Sequence, residues 1–463
     1  MLITDMYQSP EVGVYVPRPY VKRQFPLVRY GSKTIFELMD IFLPDIGEGP
    51  FPVVVDIHGG GYFYGSRASV RMEPVLELIH RGYVVVTLGG SFSLLAVPFF
   101  VLAGNIMNST GVTERIFRFA CALVGHIPGG LGHVNVLASV IFAGMSGSAI
   151  ADTAGLGKIE LQAMKEAGYD DDFSVAVTGV SSCLGPIIPP SVGMVIYAML
   201  AGVSPGRILL AGIVPGVLMA LVMCMIVYIT AKKRGYPVTP KATWKEKQEA
   251  FFRAIPSLLS PVLLLSGILF GVFTPTEAAV VCTVYSLFLG IAYREIHVND
   301  IPKLLMESLR STTMITTLIC ASMVFGVVLS FRQIPQTLTE FLVNSVHSRV
   351  GLMLIIMGIL LFVGMFFDSI AAIVLVVPIM LPVISAMGID LVQFGVVSTL
   401  LVVIGLLTPP VGNVLYILSD FSGMPITRIF RAMIPYVVGL LILDVILFFV
   451  PGITLFLPGL LLG

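Results

Sequence analysis

Two stretches of this chain, residues 144–190 and 364–410, are copies of one another, and a chain with such a duplication must fold into something built twice. Superposed at a constant offset of 220 without a gap, they agree at 12 of 47 positions. The agreements include Gly144/Gly364, Met145/Met365, Gly168/Gly388, Asp170/Asp390, Gly185/Gly405, Pro189/Pro409 and Pro190/Pro410. Shared apolar composition accounts for some of the Ile, Leu, Val and Ala matches, but not for Gly, Asp and Pro in register. Apolar segments interrupted by Gly and Pro at corresponding places in two halves are the sequence mark of a binding site in a secondary transporter.

Composition sets the medium. The chain is 56% hydrophobic and 12% charged, against about 25% charged in an average soluble domain. Apolar segments lie near residues 92–108, 134–151, 174–200, 208–231, 254–273, 275–293, 312–330, 350–367, 369–387, 391–419 and 433–450. Several reach the roughly 20 residues that a helix needs to cross a bilayer, while the shorter ones suit hairpin limbs or half-helices. Net charge is zero, so nothing favours nucleic acid or an acidic partner. Residues 232–253 carry seven basic residues against Glu246 and Glu249, which predicts a cytoplasmic position for this segment. Cys121, Cys183, Cys224, Cys282 and Cys320 are scattered without metal-ligand spacing and read as packing residues. Residues 1–20 show no charged-then-apolar pattern of a cleaved leader.

Residues 1–88 read as a different kind of protein. Thr34–Leu43, Pro52–Ile57 and Tyr83–Leu88 predict strands and Val70–His80 a helix. Between the second strand and the helix stands His58-Gly59-Gly60-Gly61-Tyr62. This resembles the oxyanion-hole turn of the lipase and esterase branch of the α/β-hydrolases, where glycine N–H groups stabilise a tetrahedral intermediate. A hydrolase also needs a nucleophile elbow, and the one Gly-x-Ser-x-Gly match is Gly202-Val203-Ser204-Pro205-Gly206. Its place after a long apolar segment fits a connection between membrane helices better than a nucleophile. The expectation is a truncated α/β-hydrolase-like fragment over 1–88, joined near Gly89-Gly90 to a membrane permease over 91–463.

The second part carries Ser93-Leu94-Leu95-Ala96-Val97-Pro98-Phe99-Phe100, Gly144-Met145-Ser146-Gly147-Ser148-Ala149, Gly185-Pro186-Ile187-Ile188-Pro189-Pro190-Ser191, Phe273-Thr274-Pro275-Thr276-Glu277-Ala278-Ala279 and Gly405-Leu406-Leu407-Thr408-Pro409-Pro410-Val411-Gly412. In that order these motifs resemble the large membrane subunit of TRAP transporters, the DctM-like family. The resemblance implies an all-α polytopic fold of two inverted repeats with re-entrant hairpins and broken helices, in the bacterial inner membrane. It further implies a transporter, not an enzyme, that imports organic anions such as C4-dicarboxylates, sialic acids or other sugar acids by an elevator motion. The implied partners are a small DctQ-like membrane subunit and a DctP-like periplasmic solute-binding protein. No organic cofactor is implied, and sodium is the coupling ion. Members of the family begin with apolar helices of the scaffold where this chain has the hydrolase-like piece, so that change bears on docking of the small subunit and on transport itself. A membrane-anchored esterase using the His58 turn, or an inactive fusion, are the competing readings.

Physics favours the same places. Pro186, Pro189 and Pro190, and again Pro409 and Pro410, remove backbone donors and disfavour helix in the residue before them, so each long segment should break inside the membrane. Carbonyls freed by a break need partners in hydrocarbon, and a hard cation is one such partner. One cation site per repeat is expected: Ser146, Ser148 and Gly185 in the first, Gly364, Asp368, Thr408 and Gly412 in the second. Close packing of helices on small residues is the bland alternative for the serines. Asp368, an ionisable group among Met365, Phe366, Phe367 and Ile370, is harder to explain that way. Ser191 and Asn413, just past each Pro-Pro pair, are candidates for contact with solute. Glu277, two residues after Pro275, suits a helix N-terminal cap, and Asp152 is open to a site or an interfacial role.

Overall fold

A computed structural model of the protein describes residues 23–29, 38–43, 53–57 and 84–88, residues 96–332 apart from 237, 239 and 271, residue 337, and residues 349–462. The chain divides into two compact units, one of Met1–Phe92 with Met314–Arg332 and one of Ser93–Thr313 with Gln333–Gly463.

In the first unit, strands β1 (Arg23–Arg29), β2 (Leu38–Leu43), β3 (Val53–Ile57) and β4 (Val84–Leu88) form a sheet in the order β1-β2-β4-β3. β3 and β4 are parallel, and the other two pairings are antiparallel. Three of these strands coincide with the runs predicted above. β1 was not foreseen: Pro26 argues against a strand from sequence, and the structure places it on an edge strand where the register shifts between Phe25 and Val28. The predicted helix over Val70–His80 and the His58–Tyr62 turn lie outside the described residues.

The second unit is helical. It begins with α1 (Ala96–Asn108), α2 (Val112–Val124), α3 (Gly130–Ser146), α4 (Ala149–Gly155) and α5 (Gly157–Glu166). α6 (Asp171–Ser181), a 3₁₀ turn at Ser182–Leu184, α7 (Val192–Ala201) and α8 (Pro205–Arg234) complete the first repeat. α9 (Trp244–Leu269), α10 (Pro275–Ala292) and α11 (Ile301–Phe331), whose last turns fall in the other unit, lead to the second repeat. That repeat holds α12 (Arg349–Gly364), α13 (Ser369–Ala386), α14 (Leu391–Gly405), α15 (Asn413–Ser422) and α16 (Ile426–Phe449), followed by α17 (Pro451–Leu462). Five of the described helices, α8, α9, α10, α13 and α16, are long and apolar enough to cross a bilayer.

α8 shows how such a helix reads from its residues. Met219, Met223, Val227 and Ala231 follow one another at i, i+4 and are buried, while Leu221, Met225 and Ile229 are exposed on the other side. A helix that is apolar on both faces, with one face against protein, has lipid as its solvent. It ends at Lys232, Lys233 and Arg234, which suit the negative end of the helix dipole, and Gly235 caps it. α2 escaped the sequence reading because it is amphipathic, with Glu114, Arg115 and Arg118 on the side opposite its buried face of Val112, Ile116, Phe117 and Ala120 and so breaking any continuous apolar run.

The duplication extends beyond the 47 residues that show it in sequence. α7 and α15 are each 10 residues long, each ends at a left-handed glycine (Gly202, Gly423), and each is followed by a long helix beginning at Pro205 or Ile426. A single inserted residue changes the offset from 220 to 221, which is why alignment at a fixed offset loses the relation.

Candidate functional site at the two helix breaks

Each repeat is a hairpin whose tip packs against a broken helix. The helical turn after the tip is capped at equivalent positions: the Ser148 hydroxyl accepts from Ala151 N at 3.5 Å, and the Asp368 carboxylate accepts from Ile370 N at 3.2 Å. The returning limbs end at Gly168 and Gly388, with φ of +79° and +66°. There Tyr169 N and Ile389 N reach back to Met164 O and Ile384 O, a closure that needs a left-handed residue. Asp170 and Asp390 then stand at the N-caps of α6 and α14. The shared glycines are thus the stop signals of the same corner; Asp390 caps α14 by accepting from Val392 N and Gln393 N, whereas the Asp170 carboxylate accepts from Arg234 and Tyr236 instead.

The predicted breaks are present. α6 gives way at Ser182–Leu184 and helix resumes at Val192, while α14 ends at Gly405 and helix resumes at Asn413. The peptide bonds Pro189-Pro190 and Pro409-Pro410 are both cis. Gly185 lies against the Ser148 backbone, where an added Cβ would stand 3.0 Å from its C and O atoms. Gly405 lies against Gly364, where an added Cβ would stand 2.5 Å from the carbonyl carbon. Gly412 N donates to Met365 O at 3.0 Å, and Leu406 O and Thr408 O converge beside Gly412. Freed carbonyls and a hairpin tip therefore meet in both halves.

The two breaks also meet each other. The Cys183 thiol approaches Val403 O at 3.8 Å, and these two positions are equivalent under the offset of 220. A contact between equivalent residues marks the place where a pseudo-two-fold axis relates the repeats. Packing is exchanged across it: α6 lies on α16 and α14 on α8, while α7 lies on α13 and α15 on α4.

The halves differ in access. Around the first break, residues 184–187 and 189–192 are buried, as is Ser146, whose hydroxyl has no partner among the described residues. Around the second, Thr408, Pro409 and Asn413 are partly exposed, and Pro410, Phe366 and Phe367 are exposed. Thr408 Oγ1 donates back to Ile404 O at 3.0 Å. Ser191, fully buried, accepts from Met194 N at 3.2 Å and donates to Pro186 O, so it caps α7 and ties the break together. Ser191→Ala should lower stability by about 1 kcal/mol, the usual worth of an N-cap. A thermal midpoint unchanged in detergent would remove that structural role.

Glu277 is a capping residue. Its carboxylate accepts from Thr274 N and Thr274 Oγ1, and Glu277 N donates to Thr274 Oγ1. Ser204 is another: it caps α8 by accepting from Arg207 N at 3.4 Å, so it joins two helices. The sequence reading left out Glu160 and Asp444, both fully buried. Asp444 could have been found, since it lies inside the apolar run 433–450. Glu160 could not, because Lys158, Lys165 and Glu166 around it read as a solvated helix.

With this geometry established, comparison with known proteins decides the family. Residues 62–453 match the family described as the tripartite ATP-independent periplasmic transporter, DctM component. The chain belongs to that family. The match begins within the N-terminal piece and takes in β4. The sialic acid TRAP transporter large permease protein SiaM of Vibrio cholerae is 44% identical over 379 residues, 81% of this chain and 89% of that protein. The sialic acid TRAP transporter permease protein SiaT of Haemophilus influenzae is 40% identical over 80% of this chain and 61% of its own length. The C4-dicarboxylate TRAP transporter large permease protein DctM of Pseudomonas aeruginosa is 38% identical over 80% of this chain and 86% of its own. Among solved structures, the Alcanivorax borkumensis YdaH transporter superposes with a TM-score of 0.60 at 15% identity, covering 81% of this chain and 86% of the other, which is a likeness of fold. This DctM-family chain is a large permease subunit of the bacterial inner membrane, crossing it several times, and is a transporter, not an enzyme. The family's description makes this chain one component of a tripartite periplasmic transporter.

Proposed function

We propose that this permease imports an organic anion, with sialic acid first and C4-dicarboxylates second among the candidates, driven by sodium and by an elevator movement of the two hairpins. The meeting of the two broken helices at Cys183 and Val403 carries the reading, together with the packing of each hairpin tip on its own break, Ser148 on Gly185 and Gly364 on Gly405. Sodium would be held by Ser146, Ser148 and Gly185 in the first repeat and by Gly364, Asp368, Thr408 and Gly412 in the second. Ser191 and Asn413, at the starts of α7 and α15 with their positive dipole ends, remain the candidates for contact with a solute carboxylate or hydroxyl. The greater exposure of the second break makes Asn413 the better placed of the two. Residues 1–88 are read as a separate α/β piece joined near Gly89-Gly90, a reading that the sheet of β1–β4 supports and the family match from residue 62 onward does not.

Reconstitution in proteoliposomes tests this. Uptake of labelled sialic acid should require an inward sodium gradient, the small membrane subunit and the solute-loaded periplasmic binding protein together. Uptake by this chain alone, or equal uptake when choline replaces sodium, would count against it.

A further inference from the structure

The first repeat contains a cluster that the second lacks. Asn135 and Ser139 on α3, Asp152 on α4, Glu160 on α5, and Thr178 and Ser181 on α6 are all at most 1% exposed. Asn135 Nδ2 donates to Thr178 Oγ1 at 2.7 Å, Ser181 Oγ donates to Asn135 Oδ1 at 2.7 Å, and Ser139 Oγ donates to Asp152 Oδ1 at 3.1 Å. Glu160 sits among Asn135, Thr178 and Asp152, with the Asn135 and Thr178 side chains within hydrogen-bonding reach of its carboxylate. No donor among the described residues reaches full hydrogen-bond geometry at either of its oxygens or at Asp152 Oδ2. Asp152 also bears electrostatically on Cys183, at the crossing of the two breaks.

Two buried carboxylates without a positive partner are costly, each ion losing several kcal/mol of solvation. The hairpin does not need them. At the equivalent positions the second repeat has Ile355 for Asn135, Ile359 for Ser139, Ala372 for Asp152, Met380 for Glu160 and Leu401 for Ser181, and keeps a hydroxyl only at Ser398 for Thr178. Ala372 and Met380 are buried as well, so the same fold is built there with apolar residues at both carboxylate positions. The first repeat therefore keeps two ionisable groups where apolar packing suffices, and their carboxylates stand among hydroxyl and amide groups with three oxygens lacking a well-formed hydrogen bond. A proton would need only the two carboxyls. The surrounding hydroxyls are the ligand chemistry of a hard monovalent cation, which prefers oxygen donors.

We infer that Asp152 and Glu160, with the hydroxyl and amide groups around them, hold a sodium ion at a site separate from those at the hairpin tips. The inference rests on the sodium-coupled reading above. Occupying the site ties α3, α4, α5 and α6 together behind the first hairpin tip, since Asp152 N is bonded to Ser148 O one helical turn away.

The test uses the purified full chain, with sodium chloride titrated against choline chloride at constant ionic strength, and thermal midpoint and uptake in the tripartite system as readouts. Glu160→Gln should raise the sodium concentration for half-maximal stabilisation at least tenfold. The double variant Asp152→Ala, Glu160→Met copies the second repeat and should fold, lose this component of sodium stabilisation, and show a lower sodium-to-solute flux ratio. A sodium response equal to wild type in Glu160→Gln overturns the inference while leaving sodium-coupled uptake intact. Loss of pH dependence with the sodium response unchanged overturns it in favour of a bound proton. Wild-type uptake indifferent to sodium defeats both readings at once, and Glu160→Gln decides the matter if the double variant does not fold.

Discussion

Gly405→Ala should be among the most damaging single-methyl changes in the molecule. Its Cβ would lie 2.5 Å from Gly364 C, 2.6 Å from Gly364 Cα and 2.9 Å from Leu361 O. All three are backbone atoms, and two belong to the hairpin tip, so no side chain can rotate away. An added methylene in a tight core costs about 1–3 kcal/mol even where side chains can yield. Replacing glycine by alanine inside a helix gains only about 1 kcal/mol of propensity, so the clash wins. Gly358→Ala provides the contrast, because it lies in the same α12 as Gly364 with nothing within 4 Å of the added atom. That variant should be as stable as wild type or slightly more so. Gly405→Ala should lower the thermal midpoint, and it should abolish uptake by forcing the second hairpin tip away from its broken helix. Equal midpoints for the two variants would show that the tip and the break are not in the close contact described.

The same residues explain how far the sequence could be read. The duplication, the breaks and the caps were legible because Gly, Pro and Asp have local meanings: Gly168 and Gly388 close a helix, Asp170 and Asp390 stand at the start of one, and the Pro-Pro pairs stop one. Glu277 was legible as a cap because Thr274 precedes it at the capping-box spacing. What stayed hidden depends on which residues become neighbours. Nothing local to Cys183 or Val403 says that they touch. The extension of the repeat through α7/α15 and α8/α16 was hidden by one inserted residue. Glu160 was hidden because its charged neighbours on α5 are solvated, while one side of that helix is turned inward onto Asn135 and Thr178. Ser191 was legible as a residue of the break, but its cap of α7 and its bond to Pro186 O appear only once the chain has turned back on itself.

The duplication also sets up the sharpest test of the second-repeat site, because Asp368 occupies the position that Ser148 has in the first. Both are N-caps, so capping alone would be served by serine, asparagine or aspartate, which are nearly equivalent in that role. Asp368→Asn keeps the cap to Ile370 N and removes only the charge. If Asp368 does no more than cap α13, this variant should match wild type in stability and in sodium dependence. If its carboxylate is a cation ligand, the lost charge-assisted interaction is worth roughly 1.5–3 kcal/mol, which corresponds to about a tenfold to hundredfold rise in the sodium concentration needed for half-maximal uptake. Asp368→Ala should show the same sodium defect and in addition lose about 1 kcal/mol of stability with the cap. Sodium titrations of uptake and of thermal midpoint for the two variants separate the roles. A normal sodium dependence in Asp368→Asn, with only Asp368→Ala destabilised, would assign Asp368 to capping and leave the second repeat's cation to the backbone carbonyls of Leu406 and Thr408 beside Gly412.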